Sequence, residues 1–283
     1  MTLILPNTSS VVVSGLRQLL GQAKVRNDVP ALTAYAVDAS IYRVQPQAVV
    51  LAEHEGDIEA VVRFAVERGI PLTPRAAGTN LTGSAIGSGI ILDISKLNRI
   101  LEVNEEERWA RVQPGIVLAE LNKQLGRRNL LFGPDPSSGD MCKLGGMLAN
   151  NSAGPHTLIY GSVKDNVQAM RVCLPSGSWL SASSMNLNDP ELDRTLAAHS
   201  SLKPILDLVQ RQRSLIDSKK PTVSKNSCGY NLFGLADGLS RGCFDLPKLF
   251  VGSEGTLGVV SEATLRLVPK PQGTLTALIH FRR

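Results

Sequence analysis

The sequence predicts an α+β fold in two lobes, and three observations predict it. A strand–helix–strand pattern spans residues 47–73, the signature of a small β-α-β unit. Short apolar runs mixed with amphipathic helices then continue to about residue 269, and alternation of that irregular kind belongs to α+β rather than regular α/β architecture. Between these parts, the glycine-rich stretch PRAAGTNLTGSAIGSG (residues 74–89) joins one β-like run to another.

Taken in order, Val11–Lys24 has apolar residues near helical spacing, and Gln47–Glu53 reads as a strand. Asp57 begins a helix with Ile58, Val61, Val62 and Ala65 on one face, and Gly69 stands at its C-terminal stop. Gly69–Thr73 and Ile90–Ile94 read as short buried strands, and Ile100–Val103 and Trp109–Val112 continue the pattern. A second amphipathic helix runs through Leu118, Leu121 and Leu125. Val167–Leu174 and Trp179–Ala182 flank Pro-Ser-Gly as a hairpin. Met185–Arg194 is polar and reads as a loop, and Leu202–Ile216 as one amphipathic helix ended by Lys219-Lys220-Pro221. Leu249–Val251 and Val259–Val268 are the last strands of the body.

At 283 residues and 43% hydrophobic, the chain can bury a sizeable core. Its apolar runs fall short of the ~20 residues that span a bilayer, and Met1–Val13 lacks the pattern of a signal peptide. Cys142, Cys173, Cys228 and Cys243 form no C-x-x-C pair and no zinc spacing. Scattered thiols point to a reducing, cytoplasmic compartment, and a peripheral position at the inner membrane stays open. The net charge of +5 is dispersed and only 4% of residues are aromatic, which argues against nucleic acid and for a small anionic ligand.

The chemistry concentrates in the glycine stretches. Between Arg68 and Leu92 there is no acidic residue. Gly78, Gly83, Gly87 and Gly89 can take positive φ and aim successive N–H groups at one point. Thr79, Asn80 and Thr82 add side-chain donors and Arg75 adds fixed charge, a set that suits a diphosphate. The loop lacks the Gly-Lys-Ser/Thr of a P-loop, and it runs into a strand, whereas a Rossmann loop opens a helix. A second stretch, residues 133–161, carries small side chains at Gly145, Gly146, Ala149, Ser152 and Ala153, where backbone could touch a flat ligand. Asn150 and Asn151 there offer donors and acceptors suited to a heterocycle. His156 lies within that stretch, while His54, His199 and His280 are too scattered for a metal site.

Four segments stand in one order: PRAAGTNLTG, KLGGMLANNSAG followed by YG, KNSCGYNL, and LFVGSEGTLGVV. Together they resemble the FAD-binding domain of the vanillyl-alcohol oxidase and p-cresol methylhydroxylase (PCMH) superfamily. Within it they are similar to the D-lactate, glycolate and D-2-hydroxyglutarate dehydrogenase branch, over about Val44 to Pro269. The resemblance implies a two-lobed PCMH-type fold, with a small β-α-β lobe and a larger mixed lobe. It implies FAD bound non-covalently, since the loop carries no His or Cys to tether it. Carried over by position, the cofactor-binding residues are Arg75, Ala76, Ala77, Gly78, Thr79, Asn80, Thr82 and Gly83 on the diphosphate loop. Pro134, Asp135 and Ser138 approach from the second lobe. Gly145, Gly146, Asn151, Ser152, Gly154 and Gly161 form a second stretch, and Glu254, Gly258 and Val260 a final strand and turn. Asn226, Gly229 and Tyr230 match a Gly-Tyr motif near the cofactor. Ala76 and Ala77 depart from the glycines of many relatives.

The resemblance divides the chain into an N-terminal helical segment (1–43), the FAD-binding domain (44–269, lobes about 44–104 and 105–269) and residues 270–283. Those last residues, with a strand expected over Thr274–Phe281, read as the start of a cap domain whose substrate-binding and proton-accepting groups this chain lacks. Gly234–Pro247 resembles the longer connection of relatives fused to iron–sulfur modules. The function implied is FAD-dependent oxidation of a small 2-hydroxyacid, with no catalytic residue assigned and an iron–sulfur or other electron-acceptor protein as partner. Two alternatives stand beside it: a non-catalytic FAD-binding or electron-transfer subunit, and a reductase like that acting on enolpyruvyl-UDP-sugar.

Overall fold

The computed structural model describes residues 8–281 apart from Ser224 and Cys228. The first lobe is a four-stranded sheet of β1 (Val25–Arg26), β2 (Ala48–Leu51), β3 (Leu72–Arg75) and β4 (Ile90–Asp93), in spatial order β1-β2-β4-β3. β2 and β3 both run parallel to β4, and β1 is antiparallel to β2. β2 and β4 are apolar because they are covered on both faces. α1 (Thr8–Leu20), α2 (Val29–Tyr35) and α3 (Glu55–Glu67) complete the lobe. Leu16, Ile58, Val61, Val50 and Leu92 are fully buried in its core.

The second lobe is a six-stranded antiparallel sheet, ordered β10-β9-β8-β11-β6-β5. Its strands are β5 (Ile100–Asn104), β6 (Trp109–Val112), β8 (Val167–Cys173), β9 (Trp179–Asn186), β10 (Cys243–Asp245) and β11 (Val259–Arg266). A short pair, β7 (Leu130–Leu131) with β12 (Val268–Pro269), lies apart from it. Helices α4 (Leu118–Gly126), α5 (Leu144–Asn150), α6 (Thr157–Tyr160), α7 (Pro190–Ala198), α8 (Leu202–Arg211), α9 (Arg213–Ser218), α10 (Leu232–Ser240) and α11 (Pro247–Phe250) belong to this lobe. Phe132, Phe244, Leu121, Leu125 and Met147 anchor its core. The sheets therefore divide between Asp93 and Ile100, and β1, from the N-terminal segment, is part of the first.

The lobes are joined through α3. Glu55 Oε1 accepts from Arg171 Nε at 2.7 Å and from the buried Ser261 Oγ at 2.6 Å. Trp179 Nε1 donates to Glu59 at 3.0 Å, and Arg63 reaches the carbonyls of Ser176 and Gly177 at the hairpin tip at 3.1 and 3.2 Å. Cys173 and Val259 of the second sheet pack into the first lobe's core.

Several segments differ from the sequence expectation, each for a local reason. α3 starts at Glu55, because His54 Nδ1 caps it by accepting from the Asp57 backbone N–H at 3.3 Å. β3 begins only at Leu72 and is half-buried. The segment 185–194 is not a loop: β9 extends to Asn186, and Asp189 caps α7 by accepting from Glu191 N at 2.9 Å, with Pro190 at the first helical position. The helix expected over Leu202–Ile216 breaks at Gln212. The break keeps Ile216 buried while Arg213 donates to the Ala236 carbonyl at 2.6 Å, and it leaves Leu208 and Leu215 exposed. Leu249–Val251 is no strand, since Pro247 opens α11, which buries Leu249 and Phe250. Thr274–Phe281 has no regular structure, and Leu275, Leu278, Ile279 and Phe281 are exposed, with no strand paired to them among the described residues.

One buried ion pair holds the first lobe's N-terminal segment to α3. Asp57 is 3% exposed and accepts from Lys24 Nζ at 2.8 Å and from Glu53 N at 2.9 Å. Burial alone would raise the Asp57 pKa, but these donors outweigh it and hold the carboxyl below its ordinary value. A depressed folded-state pKa gives stability that is present above the unfolded pKa, about 3.9, and is lost as pH falls through the folded value. Lys24→Met should therefore lower the unfolding free energy by about 2 kcal/mol at neutral pH, less than for a fully enclosed pair. In urea melts from pH 7 to 3, the gap between wild type and variant should hold down to about pH 5 and shrink below pH 4.

Candidate functional site

β3 and β4 are parallel neighbours, so residues 76–89 must carry the chain from the end of β3 back to the level where that strand begins, without a helix. Such a loop has few partners for its backbone, and side chains supply them. Arg75 Nη1 donates to the carbonyls of Tyr35 and Ala85, both at 3.3 Å, and its guanidinium lies 5.1 Å from the Tyr35 ring centroid. The charge expected to face a ligand thus sits half-buried beneath the loop. Burial lowers the Arg75 pKa, yet a guanidinium remains a cation at neutral pH. Asn80 Oδ1 gathers three donors: Thr82 N at 2.7 Å, Thr82 Oγ1 at 2.9 Å and Ser84 N at 3.1 Å. The Gly78 carbonyl accepts from Ala39 N at 3.1 Å, and Ser95 Oγ donates to the Ala76 carbonyl at 3.1 Å.

Two of the four loop glycines take positive φ: Gly78 at 70° and Gly83 at 83°. The other two serve close approach. A Cβ on Gly89 would stand 1.9 Å from the Pro71 carbonyl oxygen, and one on Gly87 2.3 Å from Thr73 Oγ1. A Cβ on Gly78 would lie 2.5 Å from Arg75 Nη2, so the loop is folded directly onto the guanidinium.

The second wall is α5 and the turn after it. Gly145 faces the body, where a Cβ would meet Pro114 at 3.0 Å, whereas Gly146 has nothing within 4 Å of that position. Asn151 ends α5 in the left-handed region (φ 53°) and is buried. Both ends of its carboxamide are engaged: Oδ1 accepts from Lys164 N at 2.9 Å and Nδ2 donates to the Asn226 carbonyl at 3.4 Å. Asn150 Oδ1 likewise accepts from Ser152 Oγ at 2.6 Å. The two asparagines expected to read a heterocycle are therefore largely committed to holding the wall. The third wall, after α11, is stitched to α5 by Gly252 N to the Leu148 carbonyl and Glu254 N to the Ala149 carbonyl, both 2.9 Å. Glu254 is also left-handed, at φ 52°.

These walls enclose a cavity of about 520 Å³ between the lobes, within the usual range for small-ligand sites of about 300–1,000 Å³. It brings together Arg75, Ala76, Ala77, Gly78, Thr79, Asn80 and Thr82 with Ser138, Gly145, Gly146, Asn151, Ser152, Glu254, Gly258 and Val260. Five of the expected positions lie outside its lining. Gly83 backs onto the Tyr42 ring, and a Cβ on Gly161 would touch Asp165 at 2.9 Å. Pro134 is buried, and Gly154 sits so close to Asp135 that a Cβ would be 2.0 Å from its carbonyl oxygen. Asp135 pairs with His156 Nδ1 and accepts from the His156 N–H at 3.1 Å. Of the Gly-Tyr motif, Tyr230 points away to bond Thr256 Oγ1 at 2.8 Å, while Lys225 and Ser227 line the cavity instead.

Sequence reasoning did not single out Ile94, Met147, Leu148 and Phe250, which supply apolar lining. It also missed Tyr35 and Asp38, which support the loop from below and carry no motif. Tyr35 donates its hydroxyl to Asp93, and burial with that bond pushes its pKa well up. Cys142 is on the wall, but burial pushes its thiol up, away from the reactive thiolate. Among the described residues, no group of three or more His, Cys, Asp or Glu could hold a metal ion. None of their helices is long and apolar enough to cross a membrane.

The cavity suits an elongated anionic ligand with a flat, partly apolar portion. Loop donors and two cations, Arg75 and Lys225, face a single wall carboxylate, Glu254, among the described residues. A small, mostly parallel sheet and a larger antiparallel one meet over this cavity, an arrangement with room and donors for a nucleotide-type cofactor. Comparison with known proteins makes this specific. Residues 46–183 match the model of the FAD binding domain family. D-2-hydroxyglutarate dehydrogenase of Pseudomonas putida is 32% identical over 277 residues, which are 95% of this chain and 27% of that protein. Glycolate oxidase subunit GlcD of Bacillus subtilis is 31% identical over 247 residues, 86% of this chain and 42% of that protein. A solved alkyldihydroxyacetonephosphate synthase superposes with a TM-score of 0.66 at 22% identity, covering 93% of this chain and 41% of that one. This chain carries an FAD binding domain over residues 46–183, and FAD is its cofactor. It spans 27% of the Pseudomonas putida relative's length and 42% of the Bacillus subtilis one's.

The buried guanidinium gives a direct test of how the loop is held. Arg75→Met would keep the aliphatic stem and leave the Tyr35 and Ala85 carbonyls without their donor, costing about 1–3 kcal/mol. The apo-protein's Tm should fall by several degrees, at roughly 2–4 °C per kcal/mol for a chain of this size, and amides 76–85 should exchange faster while those of β8 do not.

Proposed function

We propose that this chain supplies the FAD site of a flavin-dependent D-2-hydroxyacid dehydrogenase, with the cofactor held non-covalently. One observation carries the reading: the N–H-rich loop 76–82 and the small-residue wall at Gly146 and Ser152 face the same cavity from different lobes. The loop would hold the diphosphate through its backbone N–H groups and Thr79, with Arg75 supplying positive charge from beneath. Gly146, Ala149 and Ser152 would lie along the flat ring, and Gly258 and Val260 would close its other edge. The neutral, buried Cys142 is the one thiol on the wall among the described residues, which supports a cofactor without a covalent tether.

When bound, FAD supplies a two-electron acceptor that takes a substrate α-hydrogen as hydride at N5. The protein's part is to hold the walls fixed and exclude water from the cavity. Hydride departure also requires a base for the hydroxyl proton, a role we assign to no residue among those lining the cavity. Substrates of the D-lactate, glycolate or D-2-hydroxyglutarate class follow from the relatives. One relative carries the word subunit in its name, which supports an electron-acceptor protein, iron–sulfur or other, as partner. Peripheral attachment to the inner membrane through such a partner is part of the same proposal.

Reconstitution tests it. The purified chain should take up one equivalent of FAD and turn yellow, and a D-2-hydroxyacid should bleach the bound flavin only when a partner or a longer chain supplies the base that no cavity-lining residue provides, with NADPH leaving it oxidised. Gly78→Val, with a β-branched side chain forced to positive φ against Arg75, should lose at least about tenfold in FAD affinity. A colourless wild-type chain after reconstitution would overturn the proposal, and bleaching by NADPH alone would move it to a reductase.

A further inference from the structure

The described residues of 221–230, between α9 and α10, lie outside helix and strand. They draw no support from the hydrogen-bond ladder of either kind of element. Yet Lys225 and Ser227 form part of the cavity wall, so something must fix where the segment stands.

The fixing groups are side chains, and they converge on one carbonyl. Lys164 Nζ donates to the Asn226 carbonyl at 2.7 Å, and Asn151 Nδ2 reaches the same oxygen at 3.4 Å. Ser227 Oγ returns a bond to the Asn151 carbonyl at 3.4 Å. Of these contacts the lysine's is the shortest and the only charge-assisted one, hence the strongest. Lys164 is itself held at both backbone ends: its N–H donates to Asn151 Oδ1 at 2.9 Å, and its carbonyl accepts from Lys248 Nζ. The ammonium is therefore aimed by a scaffold that includes the residue ending α5, and it touches the segment from behind the wall. Lys164 is not among the cavity-lining residues.

We infer that Lys164 is a positioning residue, whose ammonium holds residues 225–227 against the cavity and so sets the placement of Lys225 and Ser227. The inference deepens the FAD-site reading and rests on it for its functional consequence, though not for the clamp. A lysine suits this task, because a compact ammonium on a flexible stem can hold an oxygen that no ladder positions.

The test uses the full chain, with and without FAD, in three forms: wild type, Lys164→Met and Lys164→Arg. In apo-protein, trypsin should cleave Lys164→Met after Lys225 about tenfold faster or more than wild type, the effect of losing one charge-assisted hydrogen bond. The Tm and the exchange of β8 should stay near wild type. In FAD-loaded protein, Lys164→Met should release flavin about tenfold faster and change its visible circular dichroism, and Lys164→Arg should recover most of both. Unchanged cleavage after Lys225 would overturn the clamp. Faster cleavage with wild-type flavin release and dichroism would overturn its role in the site. A wild-type chain that takes up no FAD would overturn the cofactor assignment instead, while cleavage of the apo-protein still decides the clamp.

Discussion

The first wall of the cavity depends on the guanidinium of Arg75. A loop of fourteen residues without helix or strand has many backbone groups to satisfy and little backbone nearby to satisfy them. Arg75 stands at the end of β3, so sheet pairing fixes its position, and from there its planar donors span the Tyr35 carbonyl on one side and the Ala85 carbonyl on the other. Gly78 can fold onto it only because it has no side chain. Tyr35, Asp93 and Ser95 extend the support outward, ending on the Ala76 carbonyl. The loop that lines this wall, with Arg75 reaching it from beneath, is thus held in place by Tyr35, Asp93 and Ser95 from outside the lining.

The opposite wall solves the same problem by conformation. Asn151 and Glu254, both in the left-handed region, turn the chain sharply after α5 and α11. Their turns are tied together by the Leu148 and Ala149 carbonyls. Asparagine tolerates such a backbone far better than most residues, and its carboxamide additionally fastens the neighbouring segments. Glutamate gains no such local bond here, and its strain of about 1 kcal/mol is offset by the Ala149 contact.

Much of this was legible in the sequence, and the misses have physical causes. The small parallel lobe was readable because Ile58, Val61, Val62 and Ala65 keep helical spacing between two apolar runs. The glycine loop was readable as a ligand loop because it excludes acids over more than twenty residues. What Arg75 does was not readable, since a charge beside donors looks the same in a sequence whether it faces ligand or carbonyls. Gly83, Gly154 and Gly161 look like Gly146 in composition, yet only Gly146 opens on the cavity, and the difference lies in tertiary neighbours. α7 carried a legible signal, Asp189-Pro190-Glu191, hidden by a polar surface face. α11 was short and apolar enough to pass for a strand, with Pro247 as the overlooked cue. Tyr35 and Asp38 had no signal at all, because their role depends on where α2 comes to rest.

The bonds from α3 to the hairpin tip, and the shared packing of Cys173 and Val259, have a consequence for how the cavity is used. With Glu55, Glu59 and Arg63 all fastened across the boundary, the halves can swing apart as hinged domains do only by breaking these bonds and exposing that packing. Walls set in this way spare binding part of the free energy of closing the protein. Entry and exit have to pass through the mouth, by local motion of whichever rim yields most easily, and the speed of exchange becomes a property of that rim rather than of the protein as a whole.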